Sequence, residues 1–179
     1  MAFGGLWGER YWKIEFGGIM KKIELLIIFI GLFLIDSFVF CQRLGDFKPG
    51  SEPDGFRGIK WGTEISTLKD MVFVVAIDKD VKRYEKKRDE LKIGKAKLDY
   101  IQYEFRKGRF YLVEIGFQGI RNFNQVKEIM FETYGKGQSM LEKKEKLTES
   151  YFWEGEKTDI IMIFDADEGG GITISSKEF

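Results

Sequence analysis

Residues 98–117 contain two runs in which apolar and polar side chains alternate, and Gly108 lies between the runs. The apolar members are Ile101, Tyr103 and Phe105 in the first run, and Tyr111, Val113, Ile115 and Phe117 in the second. A period of two is typical of strands with one buried face, and a glycine between two such strands favours a tight turn. The sequence therefore predicts a β-hairpin over residues 98–117.

Three further segments precede this hairpin. Thr63 is placed to cap a short helix that presents Ile65 and Leu68 on one face. Residues 71–77 (MVFVVAI) are apolar and largely β-branched, which predicts a strand buried on both faces. Residues 79–92 contain seven basic and four acidic side chains, which predicts a solvated hairpin or a charged edge strand.

A second helix is predicted from Phe123 to Tyr134, where apolar residues recur at helical spacing. Asn122 is expected to cap this helix, and Gly135 is expected to end it. Four strands are predicted after it, over residues 139–147, 151–154, 159–164 and 172–175.

The predicted elements repeat in the same order, one helix and then about four strands, in residues 63–117 and again in residues 122–175. An aromatic content of 16% favours a core rich in sheet. We therefore expect a single α+β domain over residues 57–179. It would consist of two helix-plus-four-strand halves, which form a long antiparallel sheet with helices on one face.

The amino-terminal region predicts export. Lys21 and Lys22 precede an uninterrupted apolar run of 11 residues, Leu25 to Ile35, which is the pattern of a secretory signal peptide. We assign residues 20–41 to this signal peptide, with cleavage after Cys41, and expect a periplasmic or secreted protein. The alternatives are an uncleaved segment that anchors the chain in the membrane, or lipid attachment at Cys41.

The segments on either side of the signal peptide are less regular. Residues 1–19 show no periodicity and are interpreted as upstream sequence, with Met20 as the true start. Residues 42–56 contain both prolines of the chain and are predicted to form a flexible leader.

The composition excludes several kinds of chemistry. The chain contains no histidine, and its one cysteine, Cys41, precedes the expected cleavage point. Hydrolysis by a Ser-His-Asp or Cys-His arrangement is therefore excluded. No glycine-rich nucleotide motif is present, so no cofactor is expected. Because 29 basic residues balance 29 acidic ones, a nucleic-acid partner is not expected either.

Two sets of residues are weak candidates for binding. Asp165 and Asp167 alternate before glycines, as in a calcium-binding loop, although a polar turn explains the same pattern. Trp61, Trp153 and Tyr103 are candidates for an aromatic surface that binds a ligand or partner, and the alternative for each of them is a place in the core.

Four short motifs resemble those of a family of small exported bacterial proteins of uncharacterised function. They are GFRGIKWGT at residues 55–63, KIG-x-AKL at 92–98, the pair Tyr134-Gly135, and YFW-x-G at 151–155. The resemblance covers residues 55–179 and implies export, but no activity, cofactor or site residue. The repeated pattern of elements is also similar to that of β-lactamase inhibitor protein-like modules, as a likeness of fold alone.

Together these features predict an exported, non-enzymatic binding or interaction module of the periplasm or cell envelope. Its expected partner is an unidentified protein or envelope component, bound through a sheet face or edge. One alternative is a carboxylate-based hydrolase of envelope polymers, which needs two acids about 5–10 Å apart in one cleft. Another is a structural protein tethered to the membrane by its uncleaved amino-terminal segment.

Overall fold

The computed structural model describes residues 45–140 and 148–179. The predicted upstream segment and signal peptide, residues 1–19 and 20–41, lie outside the described residues. Most of the strand predicted over residues 139–147 also lies outside them.

Nearly half of the described residues belong to β-strands. The strands are β1 (Gly55–Phe56), β2 (Ile59–Lys60), β3 (Met71–Ala76), β4 (Val81–Lys86), β5 (Lys92–Ile93), β6 (Ala96–Lys97), β7 (Tyr100–Arg106), β8 (Arg109–Phe117), β9 (Gln138–Ser139), β10 (Thr148–Glu154), β11 (Thr158–Asp165) and β12 (Gly169–Ser176). Eight of them form one antiparallel sheet in the order β3-β4-β7-β8-β12-β11-β10-β9, and β1–β2 and β5–β6 form two small hairpins.

The expected pair of helix-plus-four-strand halves is wrong. In the described part of the chain, α1 (Ile120–Tyr134) is the only α-helix, and the helix expected after Thr63 is a three-residue 3₁₀ helix, Ile65–Thr67. A segment with two apolar residues gains too little from packing to offset the cost of starting a helix. Its backbone instead bonds the β7–β8 turn, through the N–H of Ile65 and the carbonyl of Gly108. The fold is thus a large antiparallel sheet covered by one helix.

The positions of β3 and β4 are the reverse of those predicted. β3 is a strand, as expected, but it lies at the edge of the sheet and its side chains are mostly exposed rather than buried. The charged strand β4 lies inside the sheet, between β3 and β7.

The β7–β8 hairpin is confirmed, with one irregularity. Lys107 and Gly108 form its turn with φ values of 50° and 80°, the left-handed pair that suits a two-residue hairpin turn. A bulge shifts the register between Glu104 and Phe105. Because of the bulge, Phe110 rather than Tyr111 joins the core cluster, while Tyr111, which is also buried, donates to Glu104 on the opposite face.

Helix α1 covers the inner face of the sheet. Its buried residues are Phe123, Val126 and Met130, and the ring of Phe123 stacks on Phe164 of β11 at 4.5 Å between centroids. The helix starts at Ile120, before the expected cap Asn122, and it ends at Gly135 as predicted. The Asn122 side chain instead donates to the Gln118 carbonyl and accepts from the N–H of Lys97.

The part of the predicted leader that the structure describes, residues 45–56, packs against the domain. Phe47 is buried against Tyr134, and the N–H of Lys48 donates to the Tyr134 carbonyl. The Glu52 carboxylate accepts the backbone N–H groups of Lys157 and Thr158. These contacts join the segment to the carboxyl-terminal half of the sheet.

Across residues 45–140 and 148–179, no helix has the length and apolar character needed to cross a membrane.

Candidate functional site

All three aromatic residues proposed as a partner surface contribute to one hydrophobic core, in which Tyr103 and Trp153 are buried and against which Trp61 packs. Tyr103 is fully buried, and its hydroxyl donates to Asp89 at 2.6 Å. Trp61 is half-buried, and its indole N–H donates to the hydroxyl of Thr158 at 3.0 Å. Both rings contact Phe110, with centroid separations of 5.8 Å and 4.8 Å. Only Trp61 keeps part of its surface in solvent.

Trp153 lies in another part of this core, beside the end of α1. It is fully buried, and its indole N–H donates to the Gly135 carbonyl at 2.8 Å. Its ring contacts Phe131 and Tyr151. In this conformation Trp153 joins helix to sheet and presents no surface to a ligand.

Asp165 and Asp167 lie in the turn between β11 and β12. The Asp165 carboxylate accepts the backbone N–H groups of Asp167 and Glu168, at 2.8 Å and 3.2 Å. Asp side chains commonly stabilise turns in this way. Within the described residues, no cluster of three or more acidic side chains is arranged to hold a metal ion.

The strongest candidate for a functional surface is the β3 edge, defined as residues 71–77. Within the described residues, β4 is the only strand that pairs with β3, so one side of the β3 backbone faces away from the sheet. Five apolar side chains of this edge are 42–54% exposed: Val72, Phe73, Val74, Val75 and Ile77. Exposed apolar edges of this kind favour pairing with another strand.

Behind the β3 edge, a charged network joins β4, β7 and β8. The network consists of Arg83, Gln102, Glu104, Glu114, Tyr100 and Tyr111. The Arg83 guanidinium donates to Glu104, Glu114 and Gln102, at 2.6 Å, 2.9 Å and 3.0 Å. The Tyr111 hydroxyl donates to Glu104 at 2.7 Å, and the Tyr100 hydroxyl donates to Glu114 at 3.2 Å.

Burial and these hydrogen bonds change the acidity of the network. Burial, followed by the bond to Glu104, raises the pKa of Tyr111 to about 12. Burial and the charge of Glu114 raise the pKa of Tyr100. Burial by itself would lower the pKa of Arg83, but its hydrogen bond to Glu104 and the charges of Glu104 and Glu114 outweigh this and raise it.

The hydrogen bonds of the network give its two carboxylates a structural arrangement rather than a catalytic one. All four carboxylate oxygens of Glu104 and Glu114 accept a hydrogen bond from Arg83, Tyr100 or Tyr111. A glycosidase pair needs one acid that can give up a proton and a second that can attack or activate water. Here both carboxylates share one guanidinium instead. The predicted carboxylate-based hydrolase gains no support from this pair.

Two shallow cavities flank β4. One, of about 190 Å³, is lined in part by Lys79, Lys82 and Lys107. The other, of about 210 Å³, has a mixed lining that includes Glu85 and Arg88. Neither cavity is lined by Glu104 or Glu114, so the paired acids of the network do not face either space.

Sequence reasoning missed both the position of the β3 edge and the charged network. The signal for the network was present, because Glu104 and Glu114 occupy polar positions in the two alternating runs. Their partner Arg83 lies in the charged segment, and only the sheet register shows that it stands opposite Glu104.

No known family model, curated protein or solved structure matches this chain. The resemblance carried by residues 55–63 and the likeness to β-lactamase inhibitor protein-like modules therefore stay predictions. Only the chain's own sequence and geometry bear on its function.

Proposed function

We propose that this chain is a non-enzymatic interaction module of the bacterial cell envelope, which binds its partner by adding a strand to the β3 edge. The observation that carries the proposal is the exposed, apolar side of β3, with which no other strand of the described residues pairs. In strand addition, backbone hydrogen bonds supply affinity and alternate side chains supply specificity.

The charged network supports this use of the edge because it orders the sheet behind it. Arg83 pairs with Val75 of β3 in the sheet register, and its guanidinium links the neighbouring strands through Glu104 and Glu114. A binding edge that is already ordered loses less conformational entropy when a partner binds. The network thus serves as a rigid support.

The location follows from the amino-terminal pattern, in which two lysines precede the apolar run from Leu25 to Ile35. We propose a periplasmic or secreted product, with a retained membrane anchor as the alternative. Fractionation of cells that express the full chain, with the intact mass of the product, tests this location. A product that lacks residues 1–41 supports export, whereas a full-length product in the cytosol contradicts it.

Photo-crosslinking in living cells tests the binding surface. The photoreactive residue p-benzoylphenylalanine replaces Phe73 of the edge, which is 54% exposed. A matched variant carries it at Glu128, an exposed position on α1. We expect discrete cross-linked products from position 73 and none in common with position 128. Products of the same sizes and yields from both positions, or none from position 73, would contradict binding at the edge.

A further inference from the structure

One of the two shallow cavities beside β4 brings several positive charges together. Three of its lining residues are lysines: Lys79 from the β3–β4 turn, Lys82 from β4 and Lys107 from the β7–β8 turn. We call this space, of about 190 Å³, the lysine cavity. No residue of the β3 edge lines it, so a ligand bound there is independent of strand addition at that edge.

The positive charge of the lysine cavity is not neutralised by neighbouring acids. Within the described residues, none of its three lysines forms an ion pair. Asp80 is the one acid of the described lining, which therefore carries two net positive charges. The nearby Asp78 carboxylate instead accepts the N–H groups of Asp80 and Val81. These two bonds and, to a smaller extent, the charges of Arg106 and Lys79 lower the pKa of Asp78. An anion in the cavity would relieve the repulsion among the ammonium groups.

Backbone hydrogen bonds hold the sides of the lysine cavity together. The N–H of Lys107 donates to the carbonyl of Asp80 at 2.7 Å, which joins the two turns. The Gly108 carbonyl accepts the N–H of Ile65 at 2.9 Å, which holds the 3₁₀ helix against the β7–β8 turn. A site whose backbone is already ordered loses less conformational entropy when a ligand binds.

The rest of the cavity wall is largely apolar. Ile65, Tyr84 and Phe105 line it, and the rings of Tyr84 and Phe105 meet edge to face with their centroids 5.2 Å apart. Phe105 is buried, while Ile65 and Tyr84 are half-buried. The cavity thus presents an apolar surface beside its positive charges. This combination suits an anion that is attached to an apolar group.

We propose that the lysine cavity binds a phosphate monoester whose organic part is apolar. Such an ester carries a charge of about −1.5 to −2 near pH 7, which matches the two net positive charges of the lining. Lysine binds phosphate as a point charge, so three flexible side chains can reach its oxygens without a fixed geometry. A volume of about 190 Å³ holds the phosphate and the adjoining part of the organic group rather than a whole large ligand.

Titration with phenyl phosphate, followed by nuclear magnetic resonance, tests the site in the protein purified from cells that express the full chain. We expect saturable shifts of the backbone amide signals of Lys79, Lys82 and Lys107, with a Kd of about 1 mM or lower. No saturable shift at these residues, or saturable shifts confined to other parts of the chain, would overturn the proposal.

Two double variants of equal charge separate this site from a general attraction of anions. Lys82→Gln/Lys107→Gln removes two charges of the cavity and should weaken the binding of phenyl phosphate about tenfold. The matched control, Lys95→Gln/Lys136→Gln, removes the same charge outside the cavity and should bind like the unmodified protein. All four side chains are exposed, so both variants should fold. Equal affinities in the two double variants would overturn binding in the lysine cavity.

Two smaller changes of ligand test the chemical class. Inorganic phosphate lacks the ring of phenyl phosphate, and benzoate keeps the ring but carries a single negative charge. Each should bind about tenfold more weakly than phenyl phosphate. Equal affinities for all three ligands would overturn the preference for a phosphate monoester with an apolar part.

Cosedimentation with phosphatidylcholine vesicles, prepared with and without phosphatidic acid, identifies the source of the phosphate. Binding that requires phosphatidic acid and is lost in Lys82→Gln/Lys107→Gln would support a lipid headgroup as the ligand. Binding of phenyl phosphate without binding to either kind of vesicle would support a soluble ester. Absence of binding to both phenyl phosphate and the vesicles would overturn the proposal and leave strand addition at the β3 edge unaffected.

Discussion

Arg83 and Glu104 stand opposite each other on β4 and β7, and an Arg83 guanidinium nitrogen lies 2.6 Å from a carboxylate oxygen of Glu104. The same nitrogen lies 2.9 Å from Glu114 on β8. One cation thus joins three neighbouring strands on the face opposite α1. This contact explains how a strand as charged as β4 lies inside the sheet, since its arginine is compensated there.

Replacing Glu104 by Gln should destabilise the fold by about 2–3 kcal/mol. The Glu104 side chain is 7% exposed, and the substitution removes the charge that compensates Arg83 while it keeps the shape of the side chain. Arg83 would retain Glu114 as its remaining charged partner. The free energy of unfolding in urea measures the loss.

The matched control is Glu64→Gln, which breaks the ion pair between Glu64 and Arg109. Both side chains of this pair are about half exposed, at 55% and 50%. Exposed pairs contribute little, so this variant should lose no more than about 0.5 kcal/mol. Equal losses in the two variants would show that burial of the Arg83 network adds nothing to stability.

Replacing Tyr103 by Phe tests the placement of this residue in the core. The Tyr103 hydroxyl donates to Asp89, which also forms an ion pair with Arg57. Burial raises the pKa of Tyr103 far above its ordinary value, so its proton is retained for this bond. Losing the bond should cost about 1–2 kcal/mol in urea unfolding. An unchanged unfolding free energy would contradict a structural role for the hydroxyl.

Stability should fall steeply in alkaline solution because of the buried tyrosines. Burial and the bond to Glu104 raise the pKa of Tyr111 from 10 to about 12, and burial and Glu149 raise that of Tyr151 equally. Between pH 10 and about pH 12, the unfolded chain releases tyrosine protons that the folded chain keeps. The stabilisation is therefore complete below pH 10 and is lost as the pH rises towards 12.

Urea unfolding from about pH 8 to about pH 11 measures this decline. The variant Tyr111→Phe provides the control, because it removes one of the shifted groups. Its free energy of unfolding should decline less steeply with pH than that of the unmodified protein. Identical slopes in the two proteins would show that Tyr111 does not hold its proton in the folded state.

The sequence predicted the elements that depend on local patterns. The hairpin around Gly108 and the end of α1 at Gly135 follow from side-chain alternation and backbone conformation, which neighbouring residues determine. The helix expected after Thr63 does not form, because a capping residue and two apolar positions do not by themselves start a helix. Its backbone contacts come from Gly108, more than forty residues away.

The order of strands could not be predicted from the same patterns. An apolar run such as β3 suits an internal strand, and only the pairing shows that it forms the edge. The charged network could not be predicted for a related reason, because only the sheet register places Arg83 opposite Glu104. The bulge that moves Tyr111 to the face of Glu104 breaks the alternation on which the sequence reading depended.

Replacing Gly116 by Ala should destabilise the sheet by about 1–3 kcal/mol, because a Cβ atom there would lie 2.2 Å from the Tyr100 ring. The ring must move, which also stretches its 3.2 Å bond to Glu114. Gly171, opposite Gly116 on β12, is the matched control, since its Cβ would approach only the Ile115 carbonyl, at 3.5 Å. Urea unfolding should separate the two variants, and tyrosine near-ultraviolet circular dichroism should change only in Gly116→Ala. Equal losses would mean that the Tyr100 ring does not lie over Gly116.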